Sequence, residues 1–406
     1  MTTRARVGFS DNPNTEAAGR EAAEEALAGM DRPCDLALLF ATAGHEAFSL
    51  RRTVASVAGP AAAIVGGSAI GVIVNDRFGY AGHQVGLAAF WLGEVGRCHV
   101  AAMGGMSGGE EEVGRLLGAE LAASGFSPNM STLLFYDAID LTSGEMRLHQ
   151  ATPLLAGLER ALGYLPPRLV GAGLQGDYEC SPGHLWTGDG IYSHHALMLA
   201  FTSGLRIESA IFHGCRPVGD YYTVTKSDGQ TVLEIDGQPA IPFLEARSGL
   251  PAEEFPFFLI LGVNHGARDQ PYDETRYANR LCLAVDKARN GLVMFEPDLV
   301  AGARFQIMYR SLDFEYIPPK IERLFADLDG YRPVFAFYIN CAGRAARFAG
   351  EDREDAAVVQ RTVAGRVPLL GIYSGVEIAP IANRPRTLDW TGVFCLFSVP
   401  AKKLHP

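Results

Sequence analysis

Two arginines sit where chemistry would need them. Arg216 lies in Gly214-Cys215-Arg216-Pro217-Val218-Gly219 and Arg344 ends Cys341-Ala342-Gly343-Arg344. Each follows an apolar run, 211–212 and 334–339, so each guanidinium begins just past a strand end, where open α/β sheets border their ligand crevice. Two such forks, one from each of two lobes, could hold one carboxylate or phosphate bidentately. A buried arginine needs an anion, and Asp236, Glu377 or a ligand carboxylate would supply it. The plain alternative is two separate surface ion pairs. Cys215 and Cys341 add thiols beside these cations. Cys341 is the better nucleophile candidate, because a neighbouring cation lowers a thiol pKa, yet no histidine partner is recognisable and no GxSxG occurs.

The ten histidines form no HExxH and no two-His-one-carboxylate spacing. His194 and His195 begin a strand and point to opposite faces. His83 holds the corresponding place about 100–110 residues earlier, and His213 ends a strand. Each reads first as a hydrogen-bonded or surface residue. Asp189, between Gly188 and Gly190, reads as a tight turn.

Length and composition bound the class. The chain has 406 residues, 48% hydrophobic and 20% charged, with a net charge of −11. It suits two or three domains with sizeable cores, and the acidic balance disfavours non-specific nucleic-acid binding. Seven cysteines, scattered and without a CxxC pair, fit neither a disulfide scaffold nor a zinc ribbon. The first residues lack the apolar core of a signal peptide, and no apolar run reaches the roughly 18 residues of a membrane span. The expectation is a reduced cytoplasmic protein with no membrane partner.

The elements that would position these residues repeat. The Ala/Glu-rich stretch 14–29 reads as a helix capped by Asn14. Residues 34–41 read as a buried strand, 46–57 as a helix and 62–72 as a strand with a glycine-rich end; 85–92 and 99–103 read as paired strands. The order recurs with 109–124, 132–138, 152–162, 168–177, and the strands 195–202 and 208–213. A third copy occupies 334–339, 355–363, 368–378 and 392–399. Between copies two and three come a hairpin around Ser227-Asp228-Gly229, more strand-like runs and a helix at 319–328. The glycine-rich ends 66–71, 171–176 and 371–375 suit tight packing or ligand contact; none is a phosphate cradle. The reading is an α/β protein of two lobes built from repeated strand–helix–strand–strand units with mixed sheets. One domain would span 1–250, with repeats at about 30–105 and 106–220 and then a hairpin linker; a second would span 251–406.

The stretch Gly214-Cys215-Arg216-Pro217-Val218-Gly219, then Val224-Thr225 and Leu233-Glu234-Ile235-Asp236-Gly237-Gln238-Pro239-Ala240, resembles the central signature of the FIST proteins (F-box and intracellular signal transduction). Cys341, Gly343 and Arg344 match that family's Cys-x-Gly-Arg. The run 371–380, with Ser374 and Glu377, resembles its Gly-Phe-x-Thr-x-Gly-Glu-Ile-x-Pro. Val376 replaces a usual Gly, Val72 a frequent Glu in the first repeat, and Leu388-Asp389-Trp390-Thr391 stands where the family has His-Asn-x-Thr. The resemblance implies an intracellular sensor that is not an enzyme. It would bind a small anionic molecule such as an amino acid through Cys215, Arg216, Asp236, Cys341, Arg344, Ser374 and Glu377, and act through a separate signalling protein. One alternative is a haem-bound nitric-oxide sensor regulating a histidine kinase, with His83, His194, His195 or His213 as the axial ligand. A second is an enzyme using Cys341.

Overall fold

The computed structural model describes residues 2–401 apart from 81, 145, 189, 203, 268, 269 and 312, so Asp189 lies outside the described residues. One connectivity occurs three times. The first unit runs β1 (Arg4–Ser10), α1 (Thr15–Leu27), β2 (Leu36–Ala41), α2 (Ala47–Ala58), β3 (Ala63–Ser68), the hairpin β4 (Gly71–Val74) and β5 (Arg77–Gly79), then β6 (Val85–Trp91). Asn14 caps α1 by accepting from the Ala17 amide, and the helix buries a stripe of Ala18, Ala22, Ala23 and Ala26, a face small enough for close packing.

The second unit runs β7 (Cys98–Gly104), α3 (Glu110–Ala123), β8 (Ser131–Asp137), a short hairpin of β9 (Ile139–Asp140) and β10 (Arg147–Leu148), α4 (Ala151–Leu162), β11 (Leu169–Leu174), the hairpin β12 (Leu185–Thr187) and β13 (Gly190–Tyr192), and β14 (His195–Phe201). The third opens with β15 (Arg206–Phe212). An insert follows: β16 (Cys215–Asp228), β17 (Thr231–Ile235), β18 (Gln238–Pro239), α5 (Ala240–Ser248), β19 (Ile260–Asn264), β20 (Tyr277–Asp286), β21 (Gly291–Met294) and β22 (Arg304–Arg310), which form a seven-stranded sheet of their own. The unit resumes with α6 (Ile317–Ala326), β23 (Tyr331–Cys341), α7 (Ala346–Ala349), α8 (Asp355–Val363), β24 (Leu369–Ser374), the hairpin β25 (Val376–Ile381) and β26 (Arg384–Leu388), and β27 (Gly392–Pro400).

The three sheets share one order: β1-β6-β2-β3, β7-β14-β8-β11 and β15-β27-β23-β24. The central strand runs parallel to the one after its helix and antiparallel to the last strand, as a helical crossover requires. Each sheet would then end in an open edge, and each edge is covered by another unit's hairpin. β12–β13 extends the first sheet from β3, β25–β26 extends the second from β11, and β4–β5 extends the third from β24. The second unit donates to the first, the first to the third and the third to the second, so the ring closes and none of the three inner edges is left exposed.

The glycine-rich strand ends lie where each inner strand comes closest to the central strand of its own unit. A Cβ on Gly66 would lie 1.9 Å from the Leu39 carbonyl oxygen, on Gly171 2.0 Å from that of Leu134, and on Gly371 2.6 Å from that of Tyr338. These positions serve close backbone approach between β3, β11 or β24 and its central strand. The inner faces of the three sheets make one core in which Phe40, Phe135 and Phe337 meet, ring centroids 5.3–6.1 Å apart. Helices cover the outer faces.

The α/β class, the mixed sheets and the repeated units agree with the sequence reading; three details differ. Strands 85–91 and 98–104 do not pair with each other, nor do 195–201 and 206–212: β7 pairs with β14, and β15 with β27. Each unit opens with an edge strand that waits for its own last strand, so chain neighbours belong to different units. For the same reason β1, which the sequence reading does not assign as a strand, is an integral one. The exchanged hairpins also carry strands across position 250, so the sheets on either side of it interlock.

Replacing Gly171 by Ala should destabilise the protein by about 1–3 kcal/mol, the range for overpacking a filled core. Denaturant melts of parent and variant measure it; a loss below about 0.5 kcal/mol, the level of a surface change, would contradict the close-approach role.

Candidate functional site

The insert begins between β15 and α6, and its strand β20 packs beside β26 of the third unit. Period-two alternation in β16 splits the Cys-Arg pair: Cys215 is buried inside, while Arg216 is exposed with its guanidinium 5.9 Å from the Tyr272 ring. Asp236 is exposed, holds a left-handed turn (φ 48°) and accepts from the Thr223 amide at 3.0 Å. Arg344 is buried, and Asp355 at the start of α8 takes it, with Nη2 2.7 Å and Nε 2.9 Å from Asp355 Oδ2. Arg344 also donates to the His213 carbonyl and the Tyr316 hydroxyl, both at 3.2 Å, while Asn340 Nδ2 donates to Asp355 Oδ1 at 2.7 Å. The expected two-arginine clamp is therefore absent. Arg216 points outward, and Arg344 already has a carboxylate inside the fold.

The structure does gather Cys215, Cys341, Arg344, Ser374 and Glu377 into one buried region. Cys341 ends β23 opposite Ser374. Ser374 Oγ lies 3.0 Å from Glu377 Oε1 and 3.3 Å from the Asn340 carbonyl, and the Thr391 amide donates to Glu377 Oε2 at 3.3 Å. Glu377 reaches this place because β25 is exchanged: it sits opposite Ala172 of the second unit while staying beside β24 of the third. The equivalent positions on the other exchanged strands are Val72, opposite Ile372, and Leu185, opposite Gly67. The acid occurs at this one seam of the three.

Residues that sequence reasoning did not assign to a site complete it. Asp389 Oδ2 accepts from the Leu281 amide at 2.8 Å, and Glu296 accepts from the amides of Ala151 and Thr152 at 3.0 and 2.9 Å, capping α4. Burial pushes Glu377 far above the ordinary carboxyl range, with Asp389 adding to it. Burial also raises Glu296 to about 7 and Asp389 to about 6. Three buried polar atoms in this region have no hydrogen-bond partner: Tyr136 Oη, Asp389 Oδ1 and Asn279 Oδ1. On the rim, the half-buried Arg310 guanidinium sits 4.1 Å from the Trp390 ring centroid and 5.0 Å from that of Phe258. Among the described residues it pairs with no carboxylate, and its Nη2 donates to the Phe257 carbonyl at 2.9 Å. Gly343 makes room for Trp390, whose ring would lie 3.2 Å from an added Cβ. The signal for this group was the stretch Leu388-Asp389-Trp390-Thr391; what could not be read from sequence is that the insert brings Asn279 and Arg310 to it.

The alternatives fare less well. Burial, followed by Glu377, raises the Cys341 thiol pKa well above its ordinary value, the reverse of an activated nucleophile. Both ring nitrogens of buried His213 are engaged, Nδ1 accepting from the Cys215 amide at 3.0 Å and Nε2 facing the Glu274 carbonyl at 3.3 Å, and burial holds its pKa down at about 4. His83 lies beside His45, ring centroids 5.4 Å apart, and His195 directs Nδ1 at the Ser193 carbonyl, 2.7 Å away. His194 stands beside His149 and Asp137, and the ligand atoms of the three all lie within 4.8 Å of one another. Five cavities among the described residues, one of about 870 Å³ between β1, the β4–β5 hairpin and α8, are lined by none of these histidines.

A family model described as the FIST N domain matches residues 35–238, and one described as the FIST C domain matches 240–380. The chain belongs to the FIST family. FIST domains are associated with small-ligand binding in signal transduction. Two relatives carry names without a function: Uncharacterized protein Rv0628c of Mycobacterium tuberculosis (strain ATCC 25618 / H37Rv), 27% identical over 199 residues, and Uncharacterized protein Mb0898c of Mycobacterium bovis (strain ATCC BAA-935 / AF2122/97), 29% identical over 199 residues. Each match covers 48% of this chain and 51% of the relative, so this FIST chain spans about half the length of the curated relatives it matches. Among the described residues no helix is long and apolar enough to cross a membrane, and all seven cysteines are free.

Two measurements check this geometry. Asp355→Ala leaves the Arg344 guanidinium buried without its carboxylate and should cost about 3–5 kcal/mol; a melt like the parent's would contradict the pairing. Glu296 is raised from 4.5 to about 7, so between those pH values the folded protein holds a proton that the unfolded chain releases. That stabilisation is full below pH 4.5 and is lost as pH rises through about 7, a change of up to about 3 kcal/mol. His213 and His265, both lowered to about 4, act oppositely in an overlapping window, so the readout is the difference between parent and Glu296→Gln. The parent should lose stability relative to the variant from pH 5 to pH 7.5; parallel curves would contradict the raised pKa.

Proposed function

We propose that this FIST protein is a cytoplasmic sensor for a small amino-acid-like ligand, held at the seam between the third unit, the second unit and the insert. The observation that carries the reading is the arrangement on either side of Trp390. Glu377 and Asp389 are buried acids whose pKa burial raises, three polar atoms nearby lack partners, and Arg310 is a half-buried cation that pairs with no carboxylate among the described residues. A ligand ammonium group would meet the acids, and a ligand carboxylate would meet the Arg310 fork. The anion therefore goes to Arg310, not to Arg216 and Arg344. Unpartnered buried polar atoms are few in folded proteins, and a polar guest that satisfies them gains what their desolvation has cost.

The site is closed: Glu377 is 0% and Trp390 4% exposed. Binding then requires the Trp390–Arg310 rim to part, which couples ligand to a movement of the inserted sheet. Such coupling is what a sensor needs, because a ligand shifts a conformational equilibrium by its differential affinity for the two states. A separate signalling protein, such as a histidine kinase, would read the moved insert.

Thermal shift and calorimetry against the standard amino acids at millimolar concentration test this, with alkylamines and simple carboxylates as half-ligand controls. Zwitterions should raise the melting temperature and the half-ligands should fall short. Arg310→Ala should fold like the parent and lose about 1.5–3 kcal/mol of binding, the range for hydrogen bonds to charged groups. If no amino acid stabilises the protein, or if Arg310→Ala and Glu377→Gln bind like the parent, the assignment fails.

A further inference from the structure

The second unit carries a group of side chains that the seam does not use. Asp137 ends the central strand β8. The β9–β10 hairpin then turns the chain back so that His149 lies over it, with the His149 amide donating to the Ala138 carbonyl at 3.0 Å. His149 Nδ1 lies 2.7 Å from the Asp137 carbonyl oxygen. A carbonyl only accepts, so Nδ1 carries the proton and Nε2 keeps its lone pair, the tautomer that ligating histidines use. That Nε2 faces His194 Nδ1 at 3.4 Å.

His194 is held by its backbone. It adopts a left-handed conformation at φ 56°, which a non-glycine residue rarely does. Its amide donates to Asp137 Oδ2 at 2.8 Å, and its carbonyl accepts from the amides of Gly105 and Met106, both at 3.0 Å. Strain of this kind persists only where surrounding contacts impose it, and it clusters at functional positions. Asp140 completes the group. Its Oδ1 is 4.0 Å from His194 Nδ1 and its Oδ2 3.9 Å from His149 Nε2, while the Thr142 amide and hydroxyl hold Oδ1 at 2.8 and 2.6 Å. Asp137 Oδ2 is 4.0 Å from His194 Nδ1.

We infer that Asp137, His149 and His194, with Asp140 as a fourth ligand, form a binding site for one divalent transition ion of the zinc class. Bonds of about 2.0–2.1 Å in tetrahedral geometry set ligand atoms about 3.3–3.4 Å apart; the two imidazole nitrogens already stand at 3.4 Å, and the carboxylate oxygens, up to 4.8 Å away, need to close by about 0.5–1.5 Å. Two imidazoles with one or two carboxylates suit zinc, cobalt(II) or iron(II) rather than calcium or magnesium. Asp137, His149 and Asp140 are buried, at 0%, 2% and 7% exposure, while the His194 side chain is 30% exposed and leaves the ion a way in. A plain hydrogen-bonded cluster is the competing explanation, and the first unit supplies its example. There Thr42 holds the place of Asp137, and His45 Nε2 points at the His83 carbonyl, 2.8 Å away, instead of at the other ring's nitrogen. The second unit differs in bringing two ring nitrogens and the Asp137 carboxylate within 4.8 Å of one another, with Asp140 beside both histidines.

Chelator-treated full chain is titrated with Co²⁺ and Zn²⁺, followed by calorimetry, the visible d–d absorption of cobalt and the melting temperature. The parent should bind one ion per chain at this site, with a tetrahedral-type cobalt spectrum and a raised melting temperature. His194→Gln, at a part-exposed position, should stay folded and lose both signals; Asp137→Asn should weaken them. If His149→Gln fails to fold, His194→Gln alone decides. No stoichiometric binding by the parent, or equal binding and equal spectra in parent and His194→Gln, would overturn the site.

Discussion

Closure of the three-unit ring by exchanged hairpins is the constraint on which the rest depends. Each sheet ends at a strand with unpaired backbone groups, and each is completed by a hairpin from another unit. Within each unit, pairing of β3, β11 or β24 with its central strand leaves no room for a side chain where a Cβ would come within about 2–2.6 Å of a facing carbonyl, which explains glycine at 66, 171 and 371. The same exchange carries Glu377 out of its own sheet and sets it across from Ala172. A local requirement, covering a sheet edge, thus creates the non-local seam at which an acid from the third unit enters the sheet of the second.

The seam shows how burial and charge divide the work. Arg344 and Asp355 neutralise each other inside the third unit and stabilise the turn after β23. Among the described residues Glu377 and Asp389 have no such partner in contact, and burial raises the pKa of both. An arginine–carboxylate pair is finished chemistry; a buried acid beside unpartnered polar atoms has capacity left for a donor. The reading of the seam as a ligand site follows from that difference.

Much of the fold was legible in the sequence, because apolar strands, helix caps and glycine-rich strand ends are local signals. The repeated order was readable for that reason, as was the hairpin at 227–229. The pairing partners were not. Strands 85–91 and 98–104 are close in sequence and lie in different sheets, since pairing is decided by which edge each unit leaves open. At the site, Cys341, Arg344, Ser374 and Glu377 were recognisable from family motifs. Arg216 was misjudged, because alternation along β16 turns it away from the Cys215 side. His149 was invisible: only the β9–β10 turn brings it to Asp137, 12 residues earlier in the chain. Arg310 and Asn279 depend on how the inserted sheet docks, which no local pattern encodes.

Native-state hydrogen exchange, resolved to single amides, tests the ring most directly. In a closed ring the hairpin β25–β26 cannot leave β11 without opening the whole molecule. The amides of β25 that pair with Gly171 and Gly173 should then exchange only by global unfolding, at the same free energy as those of the central strand β8. Exchange from β25 at a free energy well below that of β8 would mean that the hairpin opens by itself as a flap, and would contradict the ring as the support of the site.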